Sequence, residues 1–458
     1  MPFILPANTL SAGGYAVANS CIFDRASTDS MSKSMSDGSS IKGTFSAWIK
    51  VDGTGNEMNI LSHFQDTSNV FSIATSGSSV YVVDYNSGYS LQLATNRIMR
   101  DPSAWFHLYV AIDRSQGTAN NRNRIFINGV EETSFSHRTN YGQQTSGGHQ
   151  DAISMNDGDC TMYLGGLGDG NQMFGGYLAE VVWLDGTASA VTNFGEFDED
   201  SGIFKPIDVS GLSSSKGTNG FYLDFEDASN LGNDAFGGTD LTESNIASTN
   251  QTTDTCTNNF AVGNPLVQND LPAFSNGNLT YTSGSNNYKT GLSTIGVSSG
   301  KWFMEVLFVS GSTAIIGVVD EADFSSLNGN TAGAGFTTNS VGYYKDGTKW
   351  IADSESSYGA SYTANDTIGI ALDLDSGTKT VTFYKDGASQ GAINLPTTGT
   401  GTFFFAPGAY NSVLSANYGS PPYAISSGNT DANGYGNFEF TVPSGYYALN
   451  TKNLAEYG

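Results

Sequence analysis

The sequence predicts an all-β protein built as two antiparallel β-sandwich domains in series. Three observations predict it. Aromatics make up 12% of the 458 residues while charged residues make up only 14%, and aromatic and β-branched side chains suit pleated, half-buried surfaces. The 56 glycines, with Asn, Asp and Ser around them, supply turns. Short apolar runs recur at turn-bounded intervals and none holds helical periodicity over three turns. Low charge with high Gly can mark disorder, but disordered chains are poor in aromatics.

The strand-like runs of the first half are residues 44–51 (TFSAWIKV), 106–112 (FHLYVAI), 124–128 (RIFIN) and 176–184 (GYLAEVVWL). Those of the second half are 301–309 (KWFMEVLFV), 314–319 (AIIGVV), 367–374 (TIGIALDL) and 378–384 (TKTVTFY). Asn128-Gly129, Asp185-Gly186, Asp346-Gly347 and Asp386-Gly387 follow such runs, and these dipeptides reach the positive φ angles of two-residue hairpins. The expected order is an N-terminal arm, 1–20, and a sandwich, 21–190. An acidic connector, 191–263, a second sandwich, 264–422, and a C-terminal tail, 423–458, follow. Within the connector, 194–207 (FGEFDEDSGIFKPI) and 219–230 (NGFYLDFEDASN) place aromatics between acids, which predicts order, while 244–259 (SNIASTNQTTDTCTNN) reads as a polar linker. The tail is expected to pack on the second sandwich or on a neighbouring subunit. The arm has little core of its own and is expected to take its order from a partner.

Nineteen basic against 44 acidic residues leave a net charge of −25. A nucleic-acid binder needs a basic face, and no Lys/Arg cluster occurs. Cys21, Cys160 and Cys256 are odd in number and far apart, so free half-buried thiols are expected rather than a disulfide framework. Residues 1–10 (MPFILPANTL) lack the basic start and long apolar core of a signal peptide. No apolar run approaches the ~18 residues of a membrane helix. A surface-type composition without an export signal fits release by cell lysis.

The chain shows no recognisable catalytic machinery, and it is read as a non-enzyme. Glu131-Glu132 and Asp198-Glu199-Asp200 sit by turns or in the connector, where solvated loop acids are the plainer reading than the closely spaced pair of a retaining glycosidase. An E-x-D-x-x-E strand is absent. His63, His107, His137 and His149 form no HExxH pair, and the G-x-S-x-G strings at 296–300 and 387–391 are not read as nucleophile elbows, since no helical pattern follows either. Trp48, Trp105, Trp183 and Trp302 are read as mid-strand and are assigned to cores. For ligand recognition the candidates are loop tyrosines beside amides and acids, whose flat faces suit sugar rings: Tyr85 and Tyr89 around Asn86, Tyr141 beside Asn140, and Tyr343 and Tyr344 before Asp346. Some of these tyrosines are equally able to cap sandwich rims.

Residues 45–50 (FSAWIK), then 105–108 (WFHL) with 124–129 (RIFING), then 163–166 (YLGG) with 174–181 (FGGYLAEV) occur in the order of the laminin-G-like, concanavalin-type jelly-roll family. Residues 20–190 resemble that family. Residues 300–306 (GKWFMEV), 316–319 (IGVV), 366–375 with 381–387 (VTFYKDG), 403–410 and 416–419 (ANYG) resemble the SPRY domain over 275–420, which implies a recognition sandwich without enzymatic chemistry. The first resemblance implies Ca²⁺ as the one cofactor to consider, with Asp157, Asp159 and Asp169 in loops as weak ligand candidates; D-G steps are also plain turn formers. Residues 193–198 (NFGEFD), 205–207 (KPI), 221–225 (FYLDF) and 445–451 (GYYALNT) resemble segments of virion proteins of tailed bacteriophages. That resemblance implies a structural and adhesive protein on the virion exterior, as tail fibre, appendage or capsid decoration. The partners it implies are other virion proteins, further copies of the chain and host-surface polysaccharide, with no nucleic acid and no membrane insertion. The alternatives are a secreted bacterial carbohydrate-binding adhesin and, behind it, a polysaccharide depolymerase.

Overall fold

A computed structural model describes residues 14–53, 57–145, 153–156, 158, 160–267, 271–327 and 333–458. The chain divides into two compact units, with the boundary between Thr257 and Asn258.

The first unit is a sandwich of two antiparallel sheets. One sheet runs, in spatial order, through strands Val130–Glu131, Asn123–Ile127, Phe106–Asp113, Lys42–Val51, Gly176–Asp185, Ser20–Phe23 and Gln251–Thr252, with Phe221–Leu223 also pairing with Gly176–Asp185. The other runs Phe135–Thr139, Tyr89–Ile98, Ser79–Asn86, Asn69–Ser76, Met58–Asp66, Thr161–Leu164, Ser30–Ser34, Thr242–Ser244. Period-2 alternation sets the core. Phe45, Leu108, Val110, Ile125 and Trp183 from the first sheet meet Phe71, Ile73, Val82 and Leu93 from the second. The Asn128-Gly129 turn has φ of +50° and +75°, the left-handed pair that a tight hairpin between strands of right-handed twist requires. Asp185-Gly186 closes no hairpin. The Asp185 carboxylate instead accepts from the backbone N–H of Ser39, at 2.7 Å, and of Asn219, at 3.2 Å, tying the strand end to both earlier and later chain.

Residues 191–257 are not a bridge between two domains, as the connector reading had it. They supply strands to both sheets of the first unit and a layer over one of them. The alternate, outward set on the first sheet, Tyr109, Phe126, Val182 and Leu184, is buried under Phe194, Val209, Tyr222 and Phe236. The linker-like stretch 244–259 is anchored equally firmly, since Gln251–Thr252 pairs with Ser20–Cys21. Trp48 and Ala179 are covered by Val17 and Phe204, so the described part of the N-terminal arm packs on its own sandwich; residues 1–13 lie outside the described residues. One sheet is therefore roofed by its own chain. Among the described residues the second keeps an outward face open, and the candidate site lies there.

The second unit is built on two long antiparallel strands, Lys301–Asp320 and Phe403–Asn417. The first half of Lys301–Asp320 pairs with Thr367–Asp373, which continues to Thr380–Lys385 and Ala388–Asn394. Its second half pairs with Ser340–Tyr344, followed by Thr348–Ile351 and Ser354–Ser357. The two apolar runs expected as separate strands are thus one strand, bent at a bulge between Phe308 and Ser310 and at Gly311, whose φ is +117°. Bulges re-aim a strand without ending its pairing. The tail closes this unit: Tyr447–Ala448 runs parallel to Trp302–Phe303, and Phe438 meets the Phe303 ring at 5.2 Å. A short helix, Thr451–Tyr457, starts where the Asn450 side chain accepts from the Asn453 N–H at 2.9 Å. No helix among the described residues is long and apolar enough to cross a membrane. None of the three cysteines forms a disulfide, and Cys21 and Cys160 are buried.

Candidate functional site

The open face of the second sheet carries a groove of about 430 Å³. Its floor comes from the outward positions of four successive hairpin strands. In Ser79–Asn86, Val80 and Val82 enter the core, so Tyr81, Val83 and Tyr85 point outward. Val70 and Ser72 stand beside them from the neighbouring strand. Tyr89, which is 53% exposed, forms the rim, its ring 5.0 Å from that of Tyr85 and inclined at 64°. The turn between them is fixed by the Ser87 N–H, which donates to the Ser68 carbonyl at 2.8 Å.

Opposite the tyrosines, the loop after Thr161–Leu164 closes the groove with Leu167, Asp169 and Gln172. This loop is pinned, since the Asn59 N–H donates to the Gln172 carbonyl at 2.8 Å and the Asn59 amide to Gln172 Oε1 at 2.6 Å. Ser72 in turn donates to Asn59 Oδ1. Gln92 Nε2 donates to the Tyr81 hydroxyl at 2.9 Å, and burial pushes that phenol's pKa up, keeping it a neutral donor. The groove thus joins flat aromatic surface, amides and two carboxylates, Glu57 and Asp169, with no Lys or Arg among its described lining residues. Aromatic faces with a few fixed polar groups suit small polar ligands that carry an apolar face.

Of the tyrosines singled out in the sequence, Tyr85 and Tyr89 are brought together here. Tyr141 is not available as a surface aromatic: it is 2% exposed and its hydroxyl donates to Asp84. Tyr343 is fully buried, packed on Tyr358, Tyr362 and Phe383, with its hydroxyl on the Ala360 carbonyl. Strand parity turns the Tyr343 ring inward, while the loop after Phe135–Thr139 turns Tyr141 in to meet Asp84. Tyr344, one residue on, is half-buried on the opposite face. Asp169 lies at the groove, but its carboxylate accepts from the Asn171 N–H and side-chain amide, both at 2.9 Å, as in an ordinary Asx turn. Asp157 and Asp159 lie outside the described residues. Among the described residues no three His, Cys, Asp or Glu side chains converge as metal ligands. The sequence reading missed Tyr81, Asn59, Gln92 and Gln172. The period-2 spacing of Tyr81, Val83 and Tyr85 was the available signal for the first.

Two groups with catalytic-looking chemistry lie sealed inside the first unit. His107 Nε2 is 2.8 Å from Ser46 Oγ, yet both are buried and the imidazole is covered by the rings of Trp48 and Phe204. Burial lowers its pKa to about 3, so it is neutral and acts as packing. Glu180, whose pKa burial raises to about 7, accepts from the Tyr222 hydroxyl at 2.7 Å. It sits in a β-bulge at φ +50°, on the roofed sheet rather than in the groove. Trp48, Trp183 and Trp302 are buried as expected, while Trp105 is half-buried and donates to Asp254 at 3.0 Å.

Comparison with known proteins agrees with this architecture. Residues 25–191 match the model of the concanavalin A-like lectin/glucanases superfamily, and residues 301–421 match that of the SPRY domain. The chain carries a concanavalin-like domain and a SPRY domain in series. A human SPRY domain structure is 21% identical, with 32% of this chain and 94% of that one covered and a TM-score of 0.25. A putative carbohydrate binding protein from Bacteroides ovatus is 16% identical, with 52% of this chain and 60% of that one covered and a TM-score of 0.36. No curated protein matches the chain. The two domains are lectin-like binding folds. The matched stretch 25–191 stops short of the roofing layer, whose apolar side chains Phe194, Val209, Tyr222 and Phe236 complete the concanavalin-like domain.

Proposed function

We propose that this is a non-enzymatic adhesion protein whose concanavalin-like domain binds glycan in the Tyr85–Tyr89 groove, and that it is carried on the exterior of a bacteriophage virion. The observation that carries the glycan reading is the exposed Tyr89 ring set edge-on to Tyr85 above a floor of fixed amides. A pyranose stacks its C–H face on such a ring and shares its hydroxyls with Gln172 and Asp169, which Asn59 holds in place from beneath. The virion reading is supported by the phage-like segments 193–198, 205–207, 221–225 and 445–451. The strong acidity adds to it, since it keeps an external protein soluble and discourages non-specific association. Repetition on one particle raises weak individual affinities through effective concentration.

The test is glycan-array binding by the whole chain and by a Tyr85→Ala/Tyr89→Ala variant, with light scattering for oligomeric state and antibody labelling of phage particles. Loss of array signal in the variant, with label on heads or tails, is the expected result. Unchanged binding by the variant overturns the groove. A monomer absent from particles that still binds glycan moves the protein to a free bacterial adhesin. Release of sugar from host polysaccharide makes it a depolymerase.

A further inference from the structure

We infer that the SPRY domain holds a second saccharide site, in a cup walled by Tyr288, Phe336 and Trp350; this rests on the glycan reading of the first domain. The cup has a volume of about 710 Å³. Its aromatic walls stand nearly at right angles: Phe336 and Trp350 are 4.7 Å apart at 88°, and Tyr288 and Phe336 are 5.3 Å apart at 67°. Tyr410 backs Tyr288 at 5.0 Å. Asp353 and Thr338, both exposed, supply a carboxylate and a hydroxyl at the lining.

Two further observations mark this cup as more than a gap in packing. The Trp350 indole N–H is buried without a hydrogen-bond partner among the described residues, and buried indole donors ordinarily find one. The hairpin between Thr348–Ile351 and Ser354–Ser357 turns through Ala352 at φ +48° and Asp353 at φ +63°. An alanine in the left-handed region is strained, and such strain persists where the surrounding structure over-determines it, as it often does at ligand sites.

The same observations select the ligand. The cup offers a carboxylate acceptor and a hydroxyl beside flat apolar walls, one of which is the indole whose N–H lacks a described partner, and this matches a hydroxyl-bearing ring with an apolar face. An anion finds no Lys or Arg among the described lining residues. A simple cation brings no acceptor for the indole. A peptide adding as a strand needs a free sheet edge, and both strands beside the cup, Ser340–Tyr344 and Thr348–Ile351, are paired on each side.

The experiment is saturation-transfer NMR on the full chain with methyl glycosides of glucose, galactose and mannose as probes. The background is the Tyr85→Ala/Tyr89→Ala variant, which isolates the cup. The expected result is that this variant still receives transfer, and that adding Trp350→Phe, which keeps the ring and removes the N–H, weakens binding at least tenfold. Asp353→Asn, at an exposed position, is expected to weaken it as well and guards against a folding defect at Trp350. Loss of all transfer in the groove variant overturns the cup while leaving the groove standing, and so does unchanged affinity after Trp350→Phe. Transfer that survives the groove variant at full strength and is lost with Trp350→Phe upholds the cup and overturns the groove. A wild-type chain that receives no transfer from any probe overturns both.

Discussion

The Lys50 ammonium lies 2.7 Å from an Asp254 carboxylate oxygen, and each side chain is only 1% exposed. The other carboxylate oxygen accepts from the Trp105 indole, and Lys50 also faces the Tyr177 ring at 5.1 Å. Removing one member of such a pair strands a buried charge, at a cost of about 3–5 kcal/mol, whereas replacing both with apolar groups is often neutral. Asp254→Ala is therefore expected to destabilise the first unit by about that much. Lys50→Met/Asp254→Leu should recover most of it. Urea unfolding of the three chains checks this, and equal losses in the single and double variants would contradict it.

Glu305 is the corresponding buried group of the second unit. Its carboxylate accepts from the N–H groups of Glu439, at 2.9 Å, and Phe440, at 2.8 Å. Burial outweighs those hydrogen bonds and raises its pKa from 4.5 to about 7. A carboxyl whose folded pKa is raised stabilises the fold fully below its unfolded pKa and loses that contribution as pH rises through the folded value. The window here is pH 4.5 to 7, and the contribution is about 3 kcal/mol at 1.36 kcal/mol per unit. Glu305→Gln should flatten the stability-against-pH curve in that window. A slope unchanged in the variant would assign the pH dependence elsewhere.

Asp431 clamps the tail. One oxygen accepts from the N–H groups of Asn433 and Tyr435, both at 2.9 Å; the other accepts from the Ala448 N–H at 3.0 Å and the Asn453 amide at 2.7 Å. Asp431→Ala leaves several buried donors unsatisfied, each costing about 1–3 kcal/mol. Amide hydrogen exchange is expected to accelerate across residues 447–457 in this variant and to stay unchanged in the first unit.

The groove's charge sets its selectivity. Glu57 and Asp169 are its acids and no base lines it among the described residues, so neutral and amino sugars are expected to bind and uronic-acid or sulfated polysaccharides to be rejected. Neutral-glycan affinity should change little between low and physiological salt, since Coulombic screening acts on charged ligands. Strong, salt-sensitive retention on an acidic polysaccharide column would contradict this.

The strands with clean alternation were legible from the chain alone, and so were the Asn128-Gly129 and Asp386-Gly387 turns, whose residues all have positive φ. The extent of the first domain was not. Phe221–Leu223 and Gln251–Thr252 are too short to show a period, and their place is set by the strands they join. Asp254 sits in a run of Thr, Asn and Gln that looks solvated, yet it is buried because Lys50, a residue far away in sequence, meets it. In the groove, Tyr85 and Tyr89 were visible as turn-flanking aromatics. Asn59 and Gln172 were not, because an amide in a strand and one in a loop say nothing of each other until the sheet sets them 2.6 Å apart. Tyr141 and Tyr343 misled through composition: a Tyr beside Asn or Asp looks like a surface loop whichever side its ring takes.

Phe260 bridges Asn450, and the Asn259 and Thr451 backbones are joined by a hydrogen bond of 2.9 Å. The second unit is therefore entered and left at one spot. A cassette of that kind can be spliced into a host loop, or its ends exchanged by circular permutation, with almost no change in the path of the surrounding chain. The SPRY domain is in this sense portable, because its first and last segments already lie side by side.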